Sequence, residues 1–465
     1  MRISLDASNL LAAMVGEAHG ITPDELKSSE PAAQAALAAF RKSVEAGSYG
    51  FPHLPFAKDT IAEIAAYAKS LQGGYDTVCV VGIGGSALGA WALDCALRGP
   101  LPVQSGFSAK NPRLVILDNV DPVYVEAALD SMTPKRTHVV VIAKSGATAE
   151  TVATFLIVKE WLERSLGKKA TKRVTVVTSE GRGDLKVLAT EKDYRTFHLP
   201  DNVGGRFSVL SAVGLVPAAL IGIDIKKLCK GAAEMTALSW KKDLRENVAL
   251  RCAQLQYLIW TKKGKSIQVA FPYANRLWQT AFWFRQLWAE SLGKAKNRAG
   301  ETVHVGQTPV AALGTTDQHS QVQLYMEGPN DKTFRFWAVE KPSRQGKIPK
   351  EKIGLEGFDY LTGQSLSKLL DVERRATAAA LTEQSRPNCT LTLSKLDEEH
   401  MGAFLQLMEF ETAFMGEMLG INAFDQEGVE LGKKFTFALM GRKGFDEFGE
   451  RFTTYEKKRK EASKS

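Results

Sequence analysis

The stretch that most constrains the fold is residues 78–89, with the sequence V-C-V-V-G-I-G-G-S-A-L-G. A continuous apolar, mostly β-branched run of this kind is typical of a strand buried on both faces, as in a parallel sheet. It enters a glycine turn followed by the apolar start of a helix. Helix starts bind anions through free backbone N–H groups, and Gly82, Gly84 and Gly85 let an anion approach closely. The stretch therefore predicts a strand, a turn and a helix around a phosphate site.

The same turn also fits a dinucleotide-binding loop. Gly82, Gly84 and Ala87 match the G-x-G-x-x-G/A pattern, and that pattern requires a carboxylate about 20 residues further on to hold the ribose. Asp94 comes too early for this role and Asp118 too late. A monophosphate therefore fits the turn better than a dinucleotide.

Composition narrows the class of protein. The 465 residues are 44% hydrophobic, which is enough for two or three domains with full cores. The chain has no signal-peptide pattern and no apolar run of about 18 residues, so we expect a cytoplasmic protein without a membrane partner. Five scattered cysteines, none in C-x-x-C spacing, favour reduced thiols over disulfides or zinc. Much of the net charge of +8 lies in residues 456–465, which favours a solvated tail and no nucleic-acid partner.

Strands and helices alternate twice along the chain. Short β-rich runs predict strands at residues 77–81, 113–117, 138–143 and 173–178, and then at 267–271, near 310, at 333–339 and at 390–393. Helical patterns fit between these runs, which is typical of doubly wound parallel sheets. We expect an α/β protein with an N-terminal helical arm, a smaller and a larger α/β domain, and a basic C-terminal helix or tail, at residues 1–72, 73–205, 206–445 and 446–465.

A second polar turn follows the predicted strand at 138–143. Its sequence, A-K-S-G-A-T-A-E-T, supplies a cation and two hydroxyls in Lys144, Ser145 and Thr148. Turns at the carboxyl ends of parallel strands converge, so this turn and the glycine turn form one predicted ligand site. The alternative is that Ser145 and Thr148 only cap a helix.

Two further residues have the chemistry of an active site. Arg206 follows two glycines and precedes a long apolar helix, which places a permanent cation beside a flexible turn. Glu290 ends an aromatic helix, where partial desolvation suits a carboxylate that acts as a base. A surface ion pair for Arg206 and a solvated helix position for Glu290 are the alternatives.

Three polar residues lie nearer the C-terminus. His319 falls in the first turn of a helix predicted at 316–326, and no histidines are spaced for a metal site. Gln426 and Lys433 are seven residues apart, and therefore on one face of a helix. A charged helix face is the alternative for this last pair.

Taken in order, these motifs resemble one known family. They read G-I-G-G-S-x-L-G, K-S-G-x-T-x-E-T, G-G-R-F-S-x-x-S-x-V-G-L, E-S-x-G-K, a Gln-His pair and F-D-Q-x-G-V-E-L-G-K. The set is similar to the glucose-6-phosphate isomerase family in its shorter bacterial form. The resemblance implies two sugar-isomerase-type (SIS) domains and a reversible isomerisation of glucose 6-phosphate to fructose 6-phosphate, through an enediolate, in glycolysis and gluconeogenesis. It also implies a homodimer, with no cofactor and no metal.

The resemblance also implies a role for each residue. Glu290 matches the base that moves a proton between C2 and C1, and Arg206 matches the cation beside the enediolate. His319 and Lys433 match the groups of ring opening, with His319 reaching the active site of the neighbouring subunit. The sugar phosphate is held by Gly85, Ser86, Lys144, Ser145 and Thr148, with Gln426 near the phosphate.

Two departures from the family pattern concern the hydroxyl turn. Ala143 and Ala147 stand where the family carries hydroxyls, so we expect weaker phosphate binding or more reliance on backbone N–H groups. Two other functions remain open at this point. One is a non-catalytic sugar-phosphate sensor, which needs the phosphate site but not the base. The other is an isomerase that also accepts mannose 6-phosphate.

Overall fold

The computed structural model describes residues 2–100, 108, 111–144, 146, 148–181 and 183–463. The chain forms two compact units, Met1–Ala423 and Phe424–Ser465. The boundary between them falls inside the segment 206–445, which was expected to be a single domain. The first unit contains the strands of the described residues, and the second is helical.

The strands occur where β-rich runs predict them. The expected strands with stated bounds are found within two residues of their predicted ends, and β1, β6, β8 and β9 were not predicted. The strands are β1 (Ile3–Asp6), β2 (Thr77–Val81), β3 (Arg113–Leu117), β4 (Thr137–Ile142), β5 (Val174–Ser179), β6 (Arg195–Leu199), β7 (Ile267–Pro272), β8 (Lys294–Lys296), β9 (Thr302–Val305), β10 (Thr308–Ala311), β11 (Lys332–Val339) and β12 (Asn388–Leu393).

Helices connect the strands and form the C-terminal unit. The first long helix begins at Pro23, because Thr22 and Glu25 cap each other's backbone N–H groups. The helices are α1 (Ala12–Val15), α2 (Pro23–Glu45), α3 (Lys58–Leu71), α4 (Leu88–Arg98), α5 (Pro122–Asp130), α6 (Ala149–Leu166), α7 (Asp184–Glu191), α8 (Ala212–Leu220), α9 (Ile225–Ser239), α10 (Val248–Thr261), α11 (Trp278–Leu292), α12 (Val322–Glu327), α13 (Glu356–Asp359), α14 (Leu366–Glu383), α15 (Glu398–Met418), α16 (Glu430–Leu439) and α17 (Asp446–Ala462).

The first sheet is parallel, with the strand order β3-β2-β4-β5-β6. Strands β2, β4 and β5 are buried along their whole length, as their β-branched composition predicts. The next two strands along the chain after β2, β3 and β4, lie on opposite sides of β2 in the sheet. The direction in which the sheet is wound therefore reverses between β2 and β4. Open α/β sheets bind ligands at the carboxyl ends of strands at such a point. The glycine turn and the hydroxyl turn both lie there.

The second sheet has the order β1-β12-β11-β7-β10, in which β1 is antiparallel and the other strands are parallel. The helical arm expected at the N-terminus therefore begins instead with an edge strand. Ile3 pairs with Leu393 and Asp6 with Thr390, a contact between distant parts of the chain that local periodicity does not reveal. Phe271, Phe334 and Phe336 are fully buried in this sheet.

Helix α15 is buried along most of its length, with every residue from His400 to Gly416 buried. It packs against α9, α10 and α2. A Cβ at Gly402 would lie only 1.9 Å from the carbonyl oxygen of Leu228, so this glycine permits the close contact with α9. Helix α15 thus links α2, α9 and α10 within the first unit.

The helix predicted at residues 316–326 is wrong in its first half. The chain there forms a short 3₁₀ turn, Thr316–Gln318, and α12 begins only at Val322. Asp317 accepts the backbone N–H of Leu313 and the hydroxyl of Ser320. Such local side-chain bonds compete with helix formation.

The C-terminal unit consists of α16 and α17 after the 3₁₀ turn Glu427–Val429. The two helices pack through Phe435, which contacts Phe448 and Phe452 edge to face. None of the described helices is long and apolar enough to cross a membrane. Within the described residues there is also no group of three or more His, Cys, Asp or Glu side chains that could hold a metal ion.

Candidate active site

The glycine turn leaves β2 and forms the short 3₁₀ helix Gly84–Ser86 before α4. Gly84 has φ of 59°, a conformation that glycine adopts readily. A Cβ at Gly85 would lie 2.2 Å from the carbonyl oxygen of Gly205, so Gly85 must lack a side chain for the two turns to meet. Ser86 is half-buried at the end of this turn. The turn therefore packs directly against the arginine turn.

Arg206 is held in the second turn, the 3₁₀ helix Gly205–Phe207. Its side chain is 1% exposed, and it donates from Nε to Ser291 Oγ over 2.8 Å and from Nη2 to the carbonyl oxygen of Ala423 over 2.6 Å. Its Nη1 lies 3.7 Å from Oε2 of Glu290. The alternative of a surface ion pair is excluded, because the guanidinium is buried and anchored on two sides.

Glu290 lies in the last turn of α11. Its side chain is 24% exposed, so a small molecule can reach the carboxylate while Arg206 remains covered. Gln286, one helical turn earlier, donates from Nε2 to Glu290 Oε2 over 3.2 Å. Lys294 holds the backbone by donating to the Glu290 carbonyl oxygen. The carboxylate is thus oriented by a buried cation and an amide.

Gln286 and Ser291 complete this cluster, and the sequence motifs did not single them out as site residues. A Cβ at Gly84 would lie 2.9 Å from Gln286 Nε2, so Gln286 bridges the glycine turn and Glu290. Its spacing of four residues from Glu290 places both on one helix face and could have identified it. Ser291 belongs to the E-S-x-G-K motif, but the motif does not show that Ser291 accepts a hydrogen bond from the distant Arg206.

The hydroxyl turn lies on the neighbouring strand. Lys144 donates from Nζ to the carbonyl oxygens of Asp201 and Val203, over 2.7 and 2.9 Å, and so ties this turn to the segment before Arg206. Burial lowers the pKa of Lys144, although the nearby Asp201 opposes this. Thr148 occupies the position before α6 without making a capping hydrogen bond from its side chain. Ser145, like Ala147, lies outside the described residues.

The other three predicted residues lie on the turn before α12 and in the C-terminal unit. His319 follows the turn Thr316–Gln318 with an exposed side chain. Gln426 and Lys433 belong to the C-terminal unit, where Gln426 is exposed and Lys433 pairs with Glu430 over 2.8 Å. The first unit thus brings together Gly85, Arg206 and Glu290, with Ser86, Lys144 and Thr148 on adjoining turns.

Comparison with known proteins identifies the family. The family model described as phosphoglucose isomerase matches residues 65–444. The chain belongs to this family. The glucose-6-phosphate isomerase of Carboxydothermus hydrogenoformans is 44% identical over 414 residues, 89% of each chain, and that of Thermus thermophilus is 39% identical over 398 residues, 85% of this chain and 91% of the relative.

Solved structures of similar fold agree with this assignment. A hypothetical protein of Thermus thermophilus superposes with a TM-score of 0.84 at 35% identity, over 94% of this chain and 100% of its own. A glucose-6-phosphate isomerase of Chlamydia trachomatis gives 0.74 at 26% identity, over 86% and 76%. The resemblance seen in the motifs is confirmed, and with it the α/β fold of the sugar-isomerase type and the expected enzyme class, an aldose–ketose isomerase.

Proposed function

We propose that this phosphoglucose isomerase family member interconverts glucose 6-phosphate and fructose 6-phosphate with Glu290 as the base. The observation that carries the proposal is the 3.7 Å between Glu290 Oε2 and Arg206 Nη1. An aldose–ketose isomerisation needs a base at the carbon next to the carbonyl and a fixed positive charge where the oxygen becomes negative. An accessible carboxylate beside a buried, permanently charged guanidinium meets both needs.

The proton transfer follows from this pair. The Glu290 carboxylate removes the C2 proton of the open-chain aldose, and the electron pair moves toward the carbonyl oxygen to give an enediolate. The protonated Glu290 then returns the proton to C1, while the hydroxyl proton of O2 passes to the oxyanion on O1, which leaves a carbonyl at C2 and a hydroxyl at C1. Gln286 supports the step by holding Glu290 Oε2. A single carboxylate facing both carbons serves as base and acid in turn.

The phosphate end is proposed to lie across the glycine and hydroxyl turns. The first N–H groups of a helical turn have no partner within it, and Gly85 lies in the first part of such a turn. The N–H of Ser86 donates to the carbonyl oxygen of Ile83, so Ser86 contributes its hydroxyl instead. The other proposed phosphate-binding residues are Lys144, Ser145 and Thr148. The hydroxyl of Thr148 makes no capping hydrogen bond to α6. Binding energy at the phosphate then positions the reacting carbons at Glu290 without taking part in the chemistry.

Ring opening is proposed to use His319 and Lys433, with Gln426 near the phosphate, as the family resemblance implies. Exposure of His319 supports a contribution to a second copy of the chain in a homodimer. We also propose a cytoplasmic enzyme, in keeping with five buried free cysteines. The division into an arm, two sugar-isomerase-type domains and a tail, at residues 1–72, 73–205, 206–445 and 446–465, is part of the same proposal.

A coupled assay for fructose 6-phosphate tests the reaction. We expect turnover by the wild type, a loss of about 10²–10⁴-fold in Glu290→Gln, and no loss in the exposed control Glu126→Gln. Wild-type turnover by Glu290→Gln would overturn the role of this base. A wild type that binds glucose 6-phosphate without converting it would instead support the sensor. The same assay with mannose 6-phosphate decides whether that substrate is also accepted.

Complementation tests the dimer. Both His319→Ala and Glu290→Gln are expected to be inactive alone. A heterodimer of the two has one site with an intact Glu290 and the partner's intact His319. An equal mixture after subunit exchange should therefore recover about a quarter of the wild-type sites. No recovery from an exchanged mixture would place His319 in its own subunit's site.

A further inference from the structure

A crevice separate from the candidate active site lies at the carboxyl ends of β7 and β11. It encloses about 770 Å³ and is lined by the segments after these two strands, by the start of α14 and by the end of β12. Small-molecule sites commonly have volumes of about 300–1,000 Å³. No residue assigned to the isomerase reaction is among its described lining residues. The crevice is thus large enough for a ligand of its own.

The crevice occupies the same position in the second sheet as the glycine turn and the hydroxyl turn occupy in the first. The order β3-β2-β4 in the first sheet corresponds to β10-β7-β11 in the second, with the first strand in the middle each time. In both sheets that first strand leads into a short 3₁₀ turn, Gly84–Ser86 or Asn275–Leu277, and then into a helix. The crevice therefore lies where an open parallel sheet binds its ligand.

Arg276, in the turn after β7, is the most unusual residue of this crevice. Its Nη1 lies 3.5 Å from Ser343 Oγ, and its buried Nε has no hydrogen-bond partner among the described residues. Burial lowers the pKa of Arg276, and the carboxylate of Glu398, which makes no ion pair with it among the described residues, opposes this only in part. A half-buried cation without a directly paired anion is costly, and an anionic ligand relieves that cost.

The rest of the lining is also basic. Arg344, Lys368 and Arg374 join Arg276, whereas Glu340 and Asp371 are the carboxylates of the lining. Asp371 is already paired with Arg374 over 2.8 Å and with Arg375 over 3.0 Å. The hydroxyls of Ser343, Ser365 and Ser367 add hydrogen-bonding groups. The lining thus combines excess positive charge with hydroxyls, a composition suited to a phosphate group.

We propose that this crevice is a second anion site, which binds a phosphate group through Arg276 and Arg344. The ligand class is a small phosphomonoester, such as a sugar phosphate, or free phosphate. Arg276 and Glu290 lie at opposite ends of α11, 14 residues apart, which is about 20 Å along the helix. The second site is therefore separate from the isomerase site.

Calorimetric titration of the full-length protein tests the proposal. The probes are inorganic phosphate and sorbitol 6-phosphate, which lacks the carbonyl that isomerisation requires. We expect Arg276→Met to lose one binding site, or to weaken it at least about tenfold, while the isomerase rate is unchanged. Arg375→Met, which removes an equal charge beside the crevice, should bind as the wild type does.

The two probes separate the sources of the ligand. Loss of a phosphate site in Arg276→Met indicates a site for free phosphate, and loss for sorbitol 6-phosphate alone indicates a sugar phosphate. Equal site numbers and affinities in the wild type and Arg276→Met overturn the proposal. If Arg276→Met does not fold, the double variant Arg344→Ala/Lys368→Ala, at exposed positions, gives the same comparison. Calorimetry counts bound ligand and does not depend on turnover. A failure of the proposed anion site is therefore distinguishable from a failure of the proposed isomerase activity.

Discussion

Two of the arginine–glutamate pairs in the described residues have opposite properties. Arg335 and Glu411 lie 2.6 Å apart in the core, and their side chains are 1% and 0% exposed. Arg206 and Glu290 lie 3.7 Å apart, and only the arginine is sealed from solvent. Burial raises the pKa of the Glu411 carboxyl, while Arg335 counteracts this.

The difference shows what separates a structural pair from a reactive one. Arg335 directs a hydrogen bond at Glu411, so neither group is available to a ligand. Arg206 directs its short hydrogen bonds at Ser291 and the Ala423 carbonyl, which leaves Glu290 loosely held and accessible. The same residue types therefore stabilise the core in one place and supply a base and a fixed charge in the other.

The largest expected effect concerns the core pair. Arg335→Met leaves the Glu411 carboxylate buried without its cation, which should lower the free energy of unfolding by about 3–5 kcal/mol. Urea denaturation measures this loss. The double variant Arg335→Met/Glu411→Leu should regain most of it, because no unpaired charge then remains. A single variant as stable as the wild type would show that the pair is not what holds these helices and strands together.

The next effect concerns the site pair. Arg206→Gln removes the fixed charge beside the developing oxyanion, so kcat should fall by about 10²–10³-fold. Arg206→Lys keeps the charge without the planar fork that holds Ser291 and Ala423, and should lose less. Steady-state kinetics distinguish the possibilities. A raised KM with unchanged kcat would mean that Arg206 only binds substrate.

A buried histidine extends the comparison to pH. His138 lies in the first sheet with Nε2 2.8 Å from Thr175 Oγ1, and burial lowers its pKa to about 3. Since the unfolded chain binds this proton near pH 6.5, stability should fall as the pH falls from 6.5 toward 3. Between pH 7 and 5 the histidine should account for about 2 kcal/mol. Urea denaturation of His138→Gln should show a flatter pH dependence, and parallel curves would contradict this.

The smallest effect concerns the amide that orients Glu290. Gln286→Leu removes one hydrogen bond to the carboxylate, so kcat should fall by about tenfold. The exposed control Gln384→Leu should retain wild-type kcat. Measured kcat values that are equal in both variants would show that Arg206 and the helix alone position Glu290.

Much of the fold was predictable where local sequence determines structure. The apolar run of β2, its glycine turn and the helix after it are specified by neighbouring residues. β1 was missed because it pairs with β12 at the other end of the chain. β6 was missed because three of its five residues, Arg195, Thr196 and His198, are polar, so it lacks the continuous apolar run of the strands beside it.

The site was predictable to the extent that motifs mark it. Arg206 and Glu290 were predicted as site residues from their settings and from the family resemblance, and their proximity emerges only when the arginine turn meets the end of α11. The hydrogen bonds of Arg206 to Ser291 and to the Ala423 carbonyl were missed because a bond between distant residues leaves no local pattern, even though Ser291 lies in the E-S-x-G-K motif. Arg335 and Glu411 went unnoticed for the same reason, being 76 residues apart.

The measurement that tests the central claim most directly follows the C2 proton itself. Glucose 6-phosphate carrying deuterium at C2 is incubated in water with the wild type, Glu290→Gln or Glu126→Gln. The loss of deuterium from C2 is followed by NMR. We expect loss with the wild type and Glu126→Gln, and a rate lower by about 10²–10⁴-fold with folded Glu290→Gln. Loss at the wild-type rate in Glu290→Gln would show that another group removes the proton.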